Sequence, residues 1–165
     1  GIISLGQLWV YCGMKEGLNV TFFPYYGAEK RGGIARANVI VSDKEIASPL
    51  VTKPDSAIVM NMDSLPICEE IVKPNGTLLI NSSLVKVDPN RKDVKVVKVP
   101  CNELAEEIGD VKIANMVMMG ALSKVTGAVK LAKLEEVLKS FFPENKHKYI
   151  PMNIKAIEAG MNAVK

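Results

Sequence analysis

Ala57-Ile58-Val59-Met60, then Asp63-Ser64, then Lys73-Pro74-Asn75-Gly76, then Thr77-Leu78-Leu79-Ile80-Asn81: this stretch of residues 57–81 decides the fold class. The first and last runs are short, continuous and apolar, the pattern of strands covered on both faces. Between them Asp63 or Ser64 offers a helix cap, Glu69 and Glu70 lie on the helix, and the Pro-Asn-Gly cluster closes it. A strand, a helix and a second strand in that order make a parallel β-α-β unit. Working outward, Asp88-Pro89-Asn90 turns the chain into Val94-Lys95-Val96-Val97-Lys98-Val99, a strand with lysines on an exposed face that Pro100 ends. Asn102 then caps a short helix stopped by Gly109. A longer helix runs from Ala114 to Thr126 with Met116, Met118 and Met119 in the core. Leu131, Leu134, Val137, Leu138 and Phe141 recur at helical spacing up to Pro143, and the tail from Ile154 to Val164 is one more helix.

Toward the start, Ile2, Ile3, Leu5, Leu8, Val10, Tyr11 and Met14 are apolar on nearly every side, which describes a buried helix stopped at Gly17. Asn19-Val20-Thr21-Phe22-Phe23 and Ala37-Asn38-Val39-Ile40-Val41-Ser42 are β-branched or aromatic and read as strands. Ile46-Ala47-Ser48-Pro49-Leu50 is a short extended piece ended by proline. The expected fold is a three-layer α/β/α sandwich with a mostly parallel, mixed central sheet, Rossmann-like, in one domain over residues 1–165. In such folds a helix like that at 2–16 follows a strand and a glycine-rich turn, so a strand is expected ahead of Gly1.

Composition narrows the function classes. A chain of 165 residues, 48% hydrophobic and 24% charged, is ordinary for one globular domain with a sizeable core. A net charge of +3 with 5% aromatics is weak ground for a nucleic-acid surface or a base-stacking platform. Charged residues break every apolar segment before it reaches the ~18 residues of a membrane span, and no secretion signal opens the chain. The expectation is therefore a cytoplasmic protein without nucleic-acid or membrane partners. Cys12, Cys68 and Cys101 are odd in number and widely spaced. They suit neither a disulfide framework nor a cluster needing about four thiolates. His147, the only histidine, sits in a polar stretch and reads as a surface residue. Adjacent acids such as Glu69/Glu70 and Glu106/Glu107 point to different helix faces and read as solvated. No phosphate-loop, nucleophile-elbow or metal-ligand motif occurs. The chain carries no catalytic set of its own, which suits a binding or accessory subunit.

The unusual chemistry lies in Tyr25-Tyr26-Gly27-Ala28-Glu29-Lys30-Arg31-Gly32-Gly33, between two strands. Its glycines let a ligand or a neighbouring chain approach the backbone, and Glu29, Lys30 and Arg31 offer directional polar contacts. The alternative is a solvated turn whose charges keep it wet. This loop is also where the chain resembles a known family. Gly17-Leu18-Asn19-Val20, Pro24 to Gly33, Val41-Ser42, Ile46-Ala47-Ser48-Pro49, Asn81-Ser82-Ser83, Val99-Pro100 and Ala114 to Gly120 are together similar to the gamma subunit of 2-oxoacid:ferredoxin oxidoreductases. The likeness covers nearly the whole chain, and Tyr-Gly-x-Glu-x-Arg-Gly-Gly is its most specific part. Relatives often carry proline where Ala28 stands and an apolar residue where Lys30 stands. Gly1 matches the last glycine of a Gly-x-Gly-Gly-x-Gly turn in that family.

The resemblance implies a role in a multi-chain enzyme that converts a 2-oxoacid, with 2-oxoglutarate favoured over branched-chain oxoacids or pyruvate, together with coenzyme A and oxidised ferredoxin, into acyl-CoA, carbon dioxide and reduced ferredoxin. Thiamine diphosphate, with its Mg ion, and iron-sulfur clusters then belong to partners: alpha and beta thiamine-binding subunits and a ferredoxin-like delta subunit. Ferredoxin itself is met only indirectly. The gamma type is associated with assembly and with coenzyme A. No catalytic or metal-ligating residue is expected here; the ligand-contacting set is Gly1, Tyr26, Gly27, Glu29, Arg31, Gly32 and Gly33. Arg31 pairs bidentately with a phosphate, Lys30 adds a point charge, Tyr26 stacks or hydrogen-bonds, and Glu29 orients Arg31. Two other uses stay open: Glu29 and Arg31 pairing to a partner subunit or within the loop, and Gly32-Gly33 serving a plain backbone turn. A free-standing nucleotide- or CoA-binding module and a purely structural spacer are the competing functions.

Overall fold

The computed structural model describes residues 1–26 and 33–165. Among them the chain runs α1 (Ile2–Lys15), β1 (Asn19–Tyr26), β2 (Ala35–Ser42), β3 (Ser56–Val59), α2 (Ser64–Ile71), β4 (Thr77–Asn81), β5 (Lys95–Val99), α3 (Cys101–Ile108), α4 (Ala114–Thr126), α5 (Leu134–Phe141) and α6 (Ile150–Asn162). Short 3-10 turns precede α4 and α6. Strands β3, β4 and β5 form a parallel sheet in that order, and β1 pairs with β2 in an antiparallel ribbon. This mixed α/β architecture is the one expected from residues 57–81.

The layering follows from alternation along β4. Leu78 and Ile80 join Ala57, Val59, Leu65, Val72 and Val85 in a core under α2. Leu79 points the other way, into the larger core built from α1, α3, α4, α5 and α6. Both faces of the parallel sheet are thus covered, as an apolar run without alternation requires. Helix α4 lies innermost, with nine of its thirteen residues buried, the three methionines among them.

Several local expectations change. Strand β1 continues through Pro24 to Tyr26, because both strands of a two-stranded ribbon are edges and an edge tolerates proline. Residues 46–50 form no strand. Asn102 lies inside α3 rather than capping it, since Asn81 and Ser83 already bond the first amides of that helix. Helix α5 begins three residues after Leu131, which takes φ 60°, and α6 begins at Ile150 with Pro151 in its first turn. Glu69 is buried, not solvated. Its carboxylate accepts the Arg91 N–H at 2.7 Å, while the Arg91 guanidinium donates to the carbonyls of Glu69 and Val72, pinning the 82–94 loop over the end of α2. His147 is half-buried, and its Nε2 lies 3.0 and 2.9 Å from the carbonyl oxygens of Lys139 and Phe142 at the close of α5.

Candidate functional site

Helix α1 and the β1–β2 ribbon pack through two glycines. Gly13 faces Val20 and Val41, whereas Gly6 faces Phe22, Ala37 and Val39. That order means α1 runs opposite to β1, so its first turn lies toward the end of the ribbon formed by Tyr26 and its partner Ala35. Gly1 is the N-cap, held by the Asn115 side-chain amide, whose Nδ2 donates to the Gly1 carbonyl at 3.1 Å. The first turn of α1 contains no acid and the last turn carries Lys15. The partial positive charge of the helix start is therefore unneutralised within its own first turn.

Two predicted site residues, Gly1 and Tyr26, are thus brought to one end of the ribbon. Tyr26 is 71% exposed. Gly33, the third described member of the predicted set, is a half-buried bend residue just before Ile34, itself 58% exposed. Gly27, Glu29, Arg31 and Gly32, with Ala28 and Lys30 between them, lie outside the described residues.

On the ribbon face turned away from α1, the register sets Tyr25 opposite Arg36. The Arg36 guanidinium sits 4.3 Å over the Tyr25 ring, and the Phe23 ring stacks on Tyr25 at a centroid distance of 4.9 Å. A cation over an aromatic face is favourable, and it fixes a positive group one residue from Ala35, at the end of the ribbon. Sequence reading missed Arg36 because only the strand register pairs it with Tyr25; the period-2 pattern of Phe23 and Tyr25 was the available signal.

The carboxyl end of the parallel sheet is the usual place for ligands in open α/β folds. Here it is filled by the protein itself. Asn81 is fully buried. Its Oδ1 accepts the N–H groups of Ser83 at 3.3 Å and Cys101 at 3.2 Å, and its Nδ2 donates to the Asn102 side chain at 2.9 Å and to the Met60 carbonyl at 3.5 Å. Ser83 accepts the Asn102 N–H at 2.9 Å and donates to Glu103. That hydrogen bond holds the Glu103 carboxyl below the usual carboxylate range. The first two amides of α3, those of Cys101 and Asn102, are consequently spoken for.

The three thiols offer little reactivity. Burial, followed by the nearby charge of Glu16, pushes Cys12 up to about 12. Burial, followed by Glu103, does the same to Cys101. Burial also raises Cys68, against a smaller opposing effect of Arg36. Protonated thiols are poor nucleophiles and poor metal ligands. Among the described residues no group of three His, Cys, Asp or Glu side chains could hold a metal ion, and no helix is long and apolar enough to cross a membrane.

The chain matches the family model for pyruvate ferredoxin/flavodoxin oxidoreductase over residues 1–163. It is 33% identical over 171 residues to the 2-oxoglutarate synthase subunit KorC of Methanothermobacter marburgensis, an alignment covering 99% of this chain and 90% of the relative. Its fold superposes with a TM-score of 0.82 on the gamma subunit of a keto/oxoacid ferredoxin oxidoreductase from Geobacter sulfurreducens, at 25% identity and with 99% and 90% of the two chains covered. The 2-oxoglutarate:ferredoxin oxidoreductase of Magnetococcus marinus, solved with 2-oxoglutarate, coenzyme A and succinyl-CoA bound, shares the fold at a TM-score of 0.88 and 24% identity, over 99% of this chain and 28% of that one. With the family model matched over residues 1–163 and KorC 33% identical over 99% of this chain, the chain belongs to the pyruvate ferredoxin/flavodoxin oxidoreductase family, as a gamma-type subunit of a 2-oxoacid:ferredoxin oxidoreductase.

Proposed function

We propose that this subunit, as a single domain in the cytoplasm, serves a complex that converts 2-oxoglutarate, coenzyme A and oxidised ferredoxin into acyl-CoA, carbon dioxide and reduced ferredoxin, and that it contributes to assembly and to coenzyme A handling while breaking no bond itself. Support for 2-oxoglutarate is the likeness to KorC. Support for coenzyme A is the fold shared with the Magnetococcus enzyme that binds it. Thiamine diphosphate with Mg and the iron-sulfur clusters are held in this reading by alpha, beta and delta subunits.

The observation that carries the reading is the common end of α1 and the ribbon: the first turn, without an acid of its own, lies toward Tyr26, where the glycine-rich charged loop departs. Backbone N–H groups and the helix dipole suit a phosphate or pyrophosphate. Around them Arg31 takes a phosphate oxygen pair, Lys30 adds charge, Tyr26 stacks on or bonds to the ligand, Glu29 orients Arg31, and Gly1, Gly27, Gly32 and Gly33 admit close approach. A charge-assisted bidentate contact contributes roughly 1.5–3 kcal/mol. Arg31→Ala in the reconstituted complex is therefore expected to raise the KM for coenzyme A by about tenfold or more with subunit stoichiometry unchanged. An unchanged KM with weakened assembly would make the loop a subunit contact instead.

A further inference from the structure

The net charge of the chain is concentrated in one place. Residues 86–98 hold five of the 21 basic side chains, Lys86, Arg91, Lys92, Lys95 and Lys98, against two of the 18 acidic ones, Asp88 and Asp93, which leaves sixteen of each sign elsewhere. The whole surplus of +3 therefore sits on β5 and the loop that leads into it. Such a local excess shapes which surfaces approach and which are turned away.

This same strand is an open edge. Among the described residues strand β5 pairs with β4 alone. The Lys95 N–H donates to the Gly76 carbonyl at 2.8 Å, and the Val99 carbonyl accepts the Ser82 N–H at 2.9 Å. Strand alternation then turns the backbone N–H and C=O of Val96 and Lys98 to the outer side. Next to that edge lies a concavity of about 540 Å³ lined by Val94, Val96, Arg91, Lys92, Lys98 and Asp88. Val96 remains 37% exposed there. Two of the cations are already engaged: Arg91 with Asp93 at 2.6 Å, and Lys98 with Asp88 at 2.5 Å. Among the described residues Lys92 and Lys95 have no ion pair.

Lysines on an edge strand commonly stop a second copy from pairing edge to edge. That protection depends on sign. Two basic edges repel, whereas an acidic strand meets attraction and an unpaired row of backbone groups. We propose that the open edge of β5 docks an acidic extended segment of a partner polypeptide, added as a further strand. Its backbone bonds Val96 and Lys98, its carboxylates face Lys92 and Lys95, and one apolar side chain enters beside Val94 and Val96. Main-chain pairing supplies affinity in this mode and the flanking side chains supply selectivity. The proposal is independent of the coenzyme A reading, because it uses none of the residues around Tyr26.

The test compares the full chain alone with the purified native complex, using amide exchange and zero-length carbodiimide coupling of lysines to carboxylates. The expected result is coupling of Lys92 or Lys95 to Asp or Glu in one segment of another chain. The amides of Val96 and Lys98 should exchange at least about tenfold more slowly in the complex. Lys92→Glu/Lys95→Glu should lower retention of that partner about tenfold or more at moderate salt, and Lys92→Gln/Lys95→Gln should do so less. Coupling and exchange on the unaltered complex do not depend on how either variant folds. Coupling confined to this chain or to a second copy of it, unchanged exchange of the two amides, or equal protection by inorganic phosphate alone would each overturn the proposal.

Discussion

Glycines carry two helix contacts in this molecule, and they do so differently. Where α4 crosses α6, a Cβ built on Gly120 falls onto the Ile157 carbonyl and 2.7 Å from its carbon, and one on Gly160 meets the Val117 carbonyl in the same way. Backbone abuts backbone there. Where α1 meets the ribbon, a Cβ on Gly13 would lie 3.1 Å from a Val20 methyl and 3.2 Å from a Val41 methyl. One on Gly6 would lie 3.1 Å from the edge of the Phe22 ring and 3.3 Å from the Ala37 Cβ. Side-chain ends can shift by tenths of an ångström; a helix carbonyl cannot move without its helix. The α4–α6 contact is therefore a fixed frame, and the α1–ribbon contact, beside the candidate ligand end, is an adjustable one.

The sharpest way to break this comparison is to add one methyl group on each side of it. Gly120→Ala or Gly160→Ala should force the α4–α6 pair apart and cost more than about 4 kcal/mol, the range in which a core fault unfolds a domain. The measurement is a urea midpoint, or the absence of a cooperative transition. A loss under about 1 kcal/mol would show that the crossing yields after all. Asn81→Ala comes next. It strands the buried Cys101 N–H and the Asn102 side-chain oxygen that Asn81 now satisfies, at a cost of about 2–4 kcal/mol. Gly6→Ala and Gly13→Ala should cost only about 1 kcal/mol and about zero, respectively, because the better helix propensity of alanine, worth up to about 1 kcal/mol, offsets the crowding. If Gly13→Ala proved as damaging as Gly120→Ala, the two contacts would be alike.

How much of this could be read from sequence depended on the range of the interaction. The parallel sheet was legible in Thr77–Asn81 and Ala57–Met60 because burial on both faces leaves an uninterrupted apolar run. The loop after Tyr26 was legible as a motif because its residues are consecutive. The fixed frame left only a faint mark: single glycines inside two helical patterns, Met119-Gly120-Ala121 and Ala159-Gly160-Met161, which signal close packing without naming the partner. Asn81 ends an apolar run, yet two of its partners, Cys101 and Asn102, lie about twenty residues on, and nothing local reveals them. Glu69 failed as a surface acid for the same reason, since Arg91 reaches it only through the fold. The pairing of Arg36 with Tyr25 required the ribbon register.

Cysteine reactivity sharpens the comparison from a second direction, because one buried thiol lies in α1 and the other in α3, which packs on both helices of the fixed frame. Cys12 belongs to α1 and Cys101 opens α3, at the closed end of the sheet. Burial raises both to about 12 from an ordinary value of 9.0. A folded pKa above the unfolded one means that keeping these thiols neutral stabilises the protein fully below about pH 9, and that this contribution is lost as pH climbs from about 9 toward 12. Alkaline unfolding in that window is the shared expectation. Below it, labelling by iodoacetamide must await local opening, and the rate then reports how often each thiol is uncovered. Half-buried Cys68 should label first. Between the two buried thiols, Cys12 should label about tenfold faster at pH 8, a difference of ~1.4 kcal/mol in opening, because α1 rests on yielding side chains while Cys101 donates its N–H into the buried Asn81 network. Equal rates for Cys12 and Cys101 would mean that α1 and the frame open together, and the adjustable contact would then be no looser than the fixed one.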